Sequence, residues 1–417
     1  MRRVYSLRFA IYGFLGFVLI AFTRGMQAEP PQALYLSWRR DPTTTISIYW
    51  HTSEKDRSSS LYYRQVGEGS DWHFYKGGSK LVGEKRHLRV HYVELEHLKE
   101  GADYVFKLEE EGELYQFRTL PKVLERPVKI VIAGDAYHEK DRFSQISRLI
   151  VKADPDFIVL GGDIAYATIR ASLFQRADQG QERWEAFFYE WTRQMVTPDG
   201  RLIPLIPIIG NHDVPGKRKD PKQEQILFYE WFTFPDPFIA YRILDCGNYL
   251  SLVLLDSGHT YSVKKEQTEW LHRALRDHGS FPYQIAAYHI AAYPSVYPFE
   301  GKTAKKIRQN WVPLFENYGV QAAFEHHNHA FKRTQRIKEG RIDLQGVVYI
   351  GDGSWGVSPR KPRSSKNSWY LAKTASANTF SVMTLLPDYG VIESFGAEGE
   401  RLDQVAILPR AQNIIPH

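Results

Sequence analysis

The chain has 417 residues, a formal charge of +6, and 43% hydrophobic residues that include 25 tyrosines, 23 phenylalanines and 10 tryptophans. That much apolar material can bury one large core or two smaller ones, and it excludes a disordered chain. Cys246 is the only cysteine, which excludes an internal disulfide and a thiolate cluster, so any metal must rest on oxygen and imidazole ligands.

The first residues carry an export pattern. Arg2, Arg3 and Arg8 precede an apolar run from Phe9 to Phe22, and small residues near Ala28 suit cleavage. The expectation is a signal peptide over 1–28 and a location in the periplasm, outside the cell or on its surface. The run is shorter than the roughly 20 residues of a membrane span, which leaves an uncleaved signal anchor as the only membrane attachment. Residues 1–28 hold four arginines and no acid, so +6 less 4 leaves +2, too little to require a nucleic-acid partner.

From Pro30 to Pro121 the pattern is all-β. Alternating runs occur at Ala33–Trp38, Thr45–Trp50, Leu61–Arg64, Arg89–Leu95, Tyr104–Leu108 and Tyr115–Arg118, separated by turn-rich stretches such as Arg40-Asp41-Pro42. Six or seven short strands in this length predict an immunoglobulin-like or fibronectin-III-like sandwich over 30–121. Leu98–Tyr104 reads as a tyrosine corner, in which a buried ring needs its hydroxyl satisfied. Glu125-Arg126-Pro127 reads as a linker.

The rest, 126–417, alternates apolar strands with amphipathic helices, the signature of an α/β domain. Helices are predicted over Arg142–Lys152, Gln181–Met195, Val263–His278 and Lys305–Tyr318. Ser262 is the candidate cap of the third; Pro313 must bend or interrupt the fourth, and Gly319 suits its end.

Five strands deliver polar residues at their carboxyl ends. Val128–Ala133 leads to Gly134-Asp135, and Phe157–Leu160 to Gly162-Asp163-Ile164-Ala165-Tyr166. Leu205–Ile209 leads to Gly210-Asn211-His212-Asp213, Gln284–Tyr288 to His289, and Val320–Phe324 to Glu325-His326-His327-Asn328-His329. Carboxyl ends of strands are where ligand sites form in open α/β sheets. Carboxylate, phenol, amide and imidazole together suit two hard-to-borderline cations about 3.5–4 Å apart. Taken singly, Asp135 and Asp163 could be turn acids, Tyr166 a packed aromatic and His289 a core imidazole. Three imidazoles in four residues at one strand end are hard to place without a metal.

In this order the blocks resemble those of the purple acid phosphatases, a branch of the calcineurin-like metallophosphoesterases, over about Arg126 to Lys332. The resemblance implies a two-sheet β sandwich flanked by helices behind a fibronectin-III-like domain. It implies that Asp135, Tyr166 and His329 hold iron(III), that Asp163 bridges, and that Asn211, His289 and His327 hold a divalent ion, zinc, iron or manganese. His212 would face the substrate as the catalytic group beside the leaving oxygen, and metal-bound hydroxide would be the nucleophile. The implied activity is acid hydrolysis of a small phosphate monoester. Two rivals are a phosphodiesterase or nucleotide-cleaving enzyme with the same metals, and a surface binding protein whose site is vestigial.

Three departures accompany the resemblance. His326 stands where the family has glycine, Ala136-Tyr137-His138 replaces a small turn, and the plant enzymes' second histidine pair is absent from Ile290–Glu300. Elsewhere, Asp256-Ser257-Gly258-His259 reads first as a turn, with His259 a side chain that could line the cleft. Gly351–Gly356 matches no phosphate loop; Trp355 there is a candidate pocket wall, and the basic run Arg360–Lys366 reads as a solvated loop.

Overall fold

The computed structural model describes residues 31–410 except 68, 70, 84–85, 169–177, 215–225 and 352; the predicted signal peptide lies outside the described residues. Eight strands come first: β1 (Ala33–Ser37), β2 (Ile46–Ser53), β3 (Ser60–Gln65), β4 (His73–Lys76), β5 (Gly78–Val82), β6 (Leu88–Leu95), β7 (Asp103–Lys107) and β8 (Tyr115–Arg118). They form two antiparallel four-stranded sheets, ordered β1-β2-β6-β5 and β4-β3-β7-β8. The six predicted strands are present, set by alternation: Tyr104 and Phe106 of β7 are buried while their neighbours are half-buried. Strands β4 and β5 escaped prediction because β4 is mostly exposed and β5 mostly half-buried, so neither alternates cleanly between buried and exposed residues. The tyrosine corner forms, with the Lys99 amide donating to the Tyr104 hydroxyl at 2.7 Å.

The remainder builds two mixed sheets. The first contains β9 (Val128–Ala133), β10 (Phe157–Leu160), β11 (Leu205–Pro207), β21 (Thr379–Leu385), β22 (Gly390–Gly396) and β23 (Arg401–Ile407). The second contains β12 (Arg242–Cys246), β13 (Leu250–Leu254), β14 (Tyr283–Ile290), β15 (Ala322–His326), β16 (Phe331–Thr334), β19 (Val348–Gly351) and β20 (Leu371–Ala375); β17 (Ile337–Lys338) and β18 (Arg341–Ile342) make a small hairpin. The orders are β11-β10-β9-β21-β22-β23 and β12-β13-β14-β15-β19-β16-β20. β9, β10 and β11 run parallel, as do β13, β14, β15 and β19.

Period-two alternation assigns the layers. Ile130 and Ile132 of β9 share one core with Leu252 and Leu254 of β13 and Phe324 of β15, between the sheets. Val131 and Ala133 face instead a second core with Phe143 and Ile146 of α1 (Lys140–Lys152) and Trp184 and Phe187 of α2 (Asp178–Gln194), which also takes in α3 (Leu227–Trp231). Val253, Ala286 and Ala323 face a third core with helices α4 (Glu266–Asp277), α5 (Lys302–Asn310) and α6 (Val312–Asn317). The result is two facing sheets with helices outside both. The inter-sheet core runs unbroken into the first eight strands, where Trp38 meets Phe157 edge-on at 5.5 Å.

Two local expectations need correction. Ser262 does not cap α4, because Lys265 stands at that position with φ +61, and the Ser262 hydroxyl serves the Lys264 amide at 3.2 Å. The fourth predicted helix is two, broken at Trp311 with Pro313 in the first turn of α6; Gly319 follows it at φ +66. No helix among the described residues is long and apolar enough to cross a membrane.

Candidate metal centre

Loops after β9 and β10 continue side by side. Asp135 N donates to Gly162 O at 3.0 Å, Ala136 N to Asp163 O at 3.1 Å and Tyr137 N to Ile164 O at 2.8 Å. The loop after β11 is tied in by the buried Asp213, whose two oxygens accept from Ile164 N (2.9 Å) and Gly210 N (2.8 Å). Burial and the neighbouring Asp163 push the Asp213 carboxyl up to about 7. From the facing sheet, β14 carries His289 one residue before its end at Ile290 and β15 ends at His326, so both sheets empty into one place.

There the donors fall into two groups. Asp135 Oδ1 lies 3.0 Å from Tyr166 Oη and 3.0 Å from His329 Nε2, and those two are 3.1 Å apart. Three donors about 2.0–2.2 Å from one ion, at right angles, would stand roughly 3 Å apart. In the second group His289 Nε2 lies 3.2 Å from both Asn211 Oδ1 and Asp163 Oδ2. Asp163, His289 and His327 each offer an atom within 4.8 Å of the others.

The tautomers test the fit. His289 Nδ1 stands 2.8 Å from Gly161 O, and a carbonyl only accepts, so the ring proton is on Nδ1. In the neutral ring that metal ligation requires, Nε2 would turn its lone pair toward the same point as the Asn211 and Asp163 oxygens. Asp163 Oδ2 and His327 Nδ1 are buried and find no hydrogen-bond partner among the described residues. Acceptors crowded in a dry site call for positive charge, supplied by a proton on His289 or by a metal ion that replaces it. Burial opposes charge on His289, yet Asp163 outweighs it and pushes the imidazole up to about 10; burial likewise opposes ionisation of Asp163, yet His289 holds it below the usual carboxylate range. Burial first, then Asp135, raises the Tyr166 phenol well above its ordinary value, so ionising it needs a strong local positive charge.

All seven predicted ligands thus converge, from five segments. His212 sits over them: its ring stacks on Tyr166 at 4.8 Å, its amide donates to Asp163 Oδ1 at 2.6 Å, and its Nδ1 donates to Thr168 O at 2.7 Å. His138 is exposed, with its ring 4.8 Å from that of Tyr166. His326 is neither exposed nor near solvent; it is 1% exposed and wedged under the loops. The Asp256 turn forms as read, its carboxylate collecting the amides of Gly258, His259, Thr260 and Tyr261. It also brings His259 within 5.5 Å of the His289 ring.

Sequence reading missed three supports. Gly351–Gly356 is no pocket wall: Trp355 is buried on Phe143, and the loop donates from Trp355 N to Gly134 O (3.1 Å) and from Gly356 N to Asp135 O (2.9 Å). Glu325 and Lys332 form a fully buried ion pair; Glu325 also accepts from Tyr288 Oη (2.6 Å) and Ala292 N (2.7 Å), fixing the strand that carries His289. Arg360, at the start of the solvated loop, is half-buried and tied down: its amide donates to His329 O at 2.7 Å and its guanidinium to the Tyr297 hydroxyl. Backbone partners like these leave no trace in composition.

The profile of the calcineurin-like phosphoesterases matches residues 70–331. The chain belongs to the calcineurin-like phosphoesterase family. Within its reach, the chain is 27% identical to purple acid phosphatase 15 of Arabidopsis thaliana over 63% of its own length, a match spanning only 53% of that protein. It is 22% identical to the probable purple acid phosphatase 20 of the same plant, over 78% of this chain and 72% of that one. In fold it is similar to the purple acid phosphatase PPD1 of yellow lupin seeds, with a TM-score of 0.72 at 16% identity, covering 90% of this chain and 74% of that one. It is also similar to PhoD, with a TM-score of 0.64 at 12% identity, over 92% and 93% of the two chains. Those structural likenesses speak for the calcineurin-like phosphoesterase fold alone. The profile ends at Phe331, yet β21 pairs with β9, so strands beyond the matched region complete the sheet that carries Asp135.

Proposed function

We propose that this calcineurin-like phosphoesterase hydrolyses phosphate monoesters at a binuclear centre, outside the cytoplasm and best at acid pH. Asp135, Tyr166 and His329 would hold iron(III), Asp163 would bridge, and Asn211, His289 and His327 would hold a divalent ion, zinc, iron or manganese. One observation carries this reading: donor atoms from five chain segments crowd to 3.0–3.2 Å of one another, with Asp163 Oδ2 and the adjoining His327 Nδ1 buried and without a hydrogen-bond partner among the described residues. When bound, such a pair of cations lowers the pKa of water and offsets charge on the phosphoryl group. The chain's own part is positioning. His212, proton on Nδ1 and anchored by Thr168 O, has Nε2 free to hold a proton for the departing oxygen. The domain reading is part of the proposal: signal peptide 1–28, a fibronectin-III-like sandwich 30–121 supported by the two four-stranded sheets, and a catalytic domain 126–417.

The test is metal analysis and a visible spectrum, with 4-nitrophenyl phosphate assayed beside its bis-aryl diester. The expected result is about one iron and one divalent ion per chain, a tyrosinate band that Tyr166→Phe abolishes, and faster turnover of the monoester. Two zinc ions with no colour would refute the iron assignment, and no turnover of either ester would refute the activity.

A further inference from the structure

A cavity of about 160 Å³ lies against His327, between the segment Ile290, Ala291, Pro294 and Tyr297 and the start of α5 at Lys302 and Thr303. It is no accident of loose loops. Asn328 Oδ1 accepts from Val296 N (2.9 Å) and Tyr297 N (3.0 Å), which joins the cavity wall to the His327–His329 loop. The Tyr297 ring lies 5.1 Å from that of His327. Arg360 locks the same corner: besides its bond to His329 O, its guanidinium lies 5.3 Å over the Tyr297 ring.

We infer that this cavity receives the organic group of the phosphoester, and that Arg360 and Lys302 select an aryl group bearing a second negative charge. The inference rests on the proposed phosphoester hydrolysis. Three features carry it. First, the location: a group esterified to a phosphate held at the proposed centre has this cavity beside it, because His327 belongs to both. Second, size and polarity: a cavity on the order of 150 Å³ accommodates a benzene ring, and here aliphatic, proline and tyrosine side chains give the wall an apolar part beside the polar Lys302, Thr303, His327 and Asn328. Third, charge: Lys302 lines the cavity and Arg360 is bound to its Tyr297 wall, while among the described residues no acidic side chain lines it. The first turn of α5 has no side-chain cap, so its amide dipoles add to the same field. The stretch that lacks the plant enzymes' histidine pair, Ile290–Glu300, is the stretch that forms this wall.

The test assays the metal-loaded full-length protein on phenyl phosphate and 4-carboxyphenyl phosphate, and reads the ratio of their kcat/KM values. A ratio of about ten in favour of the carboxylated ester is expected; Arg360→Ala and Lys302→Ala should each lower it about threefold, and the double variant should bring it near one. A general disturbance of the His327–His329 loop slows both esters alike and leaves the ratio where it was. A wild-type ratio near or below one, or a ratio that survives the double variant, overturns the inference while leaving the phosphatase reading intact. Release of phosphate from neither ester overturns both.

Discussion

The proposed activity in acid requires a fold that persists there, and His51 sets a limit on that. The ring is 1% exposed and sits in a cage of Tyr35, Phe188 and Trp231 at centroid distances of 5.5, 5.2 and 5.1 Å, where β2 meets α2 and α3. Burial, reinforced by His91, lowers it to about 3, against about 6.5 in an unfolded chain. A base depressed on folding gives stability that is complete above the unfolded value and is lost as pH falls toward the folded one. At pH 5 the unfolded state gains about 2 kcal/mol from protonating this one ring, and at pH 4 about 3 kcal/mol. His51→Phe keeps an aromatic ring in an aromatic cage and discards the titration; Nε2 has no hydrogen-bond partner to lose among the described residues. Urea unfolding followed by tryptophan fluorescence, at pH 7.5 and pH 5, should therefore show the variant losing about 2 kcal/mol less than wild type on acidification. His91 on β6, lowered to about 4 chiefly by burial, remains in the variant, so some acid loss persists. Equal losses in the two proteins would mean that His51 is not held neutral in the native state.

Three further outcomes are expected. Asp163→Asn removes the proposed bridging charge and should lower kcat/KM by at least about a thousandfold, with metal content falling in parallel and the far-ultraviolet circular dichroism unchanged. Lys332→Met strands the Glu325 carboxylate in the core and should cost about 3–5 kcal/mol of stability, while adding Glu325→Leu should restore part of it, both read as thermal midpoints. Gly353→Ala would put a Cβ 1.9 Å from Asp135 Oδ2 at a backbone φ of +65, so metal binding should weaken about tenfold or more although Gly353 offers no ligand.

The strands that carry the site were legible because each is a short, largely apolar run that ends abruptly in polar residues, with a glycine at the break after β9, β10 and β11. β9 and β10 coincide with the predicted Val128–Ala133 and Phe157–Leu160. A strand buried on both faces writes itself into composition. What stayed hidden depends on partners distant in sequence. β21 inserts beside β9 from more than two hundred residues away, and no local pattern specifies that neighbour. Glu325 and Lys332 look like surface charges until β15 and β16 bring them together inside. Arg360 belongs to a stretch whose composition is that of a solvated loop; only the carbonyls of His327 and His329 reveal its place. His259 shows the mixed case, since Asp256 does make the predicted turn and the turn also aims an imidazole at the centre.

The backbone offers a reason for so much hidden support. Asp135, Asp163, Tyr166, His327 and His329 all have φ between +51 and +77, a region that costs a side-chain-bearing residue roughly 1–3 kcal/mol. Five such residues in one spot cannot be held by their own preferences. They are held because other groups over-determine them: Asp213 staples two loops, the Gly351–Gly356 strap binds Gly134 and Asp135, and Glu325 fixes the neighbouring strand. His326 completes this frame. Its ring fills the space where a Cβ on Gly161 would lie, 2.0 Å from Nε2, and where one on Gly134 would lie, 2.7 Å from Nδ1. Burial holds it at about 3, so it stays a neutral wedge across the acid range, and it spaces the loops of Asp135 and Asp163 by shape. Wedge and glycines form one unit: a side chain at Gly161 would collide with the His326 ring, and removing His326 would open a void beneath two strained ligands. The imidazole that replaces the family's glycine is thus better understood as part of the scaffold that keeps the donors converged than as another donor.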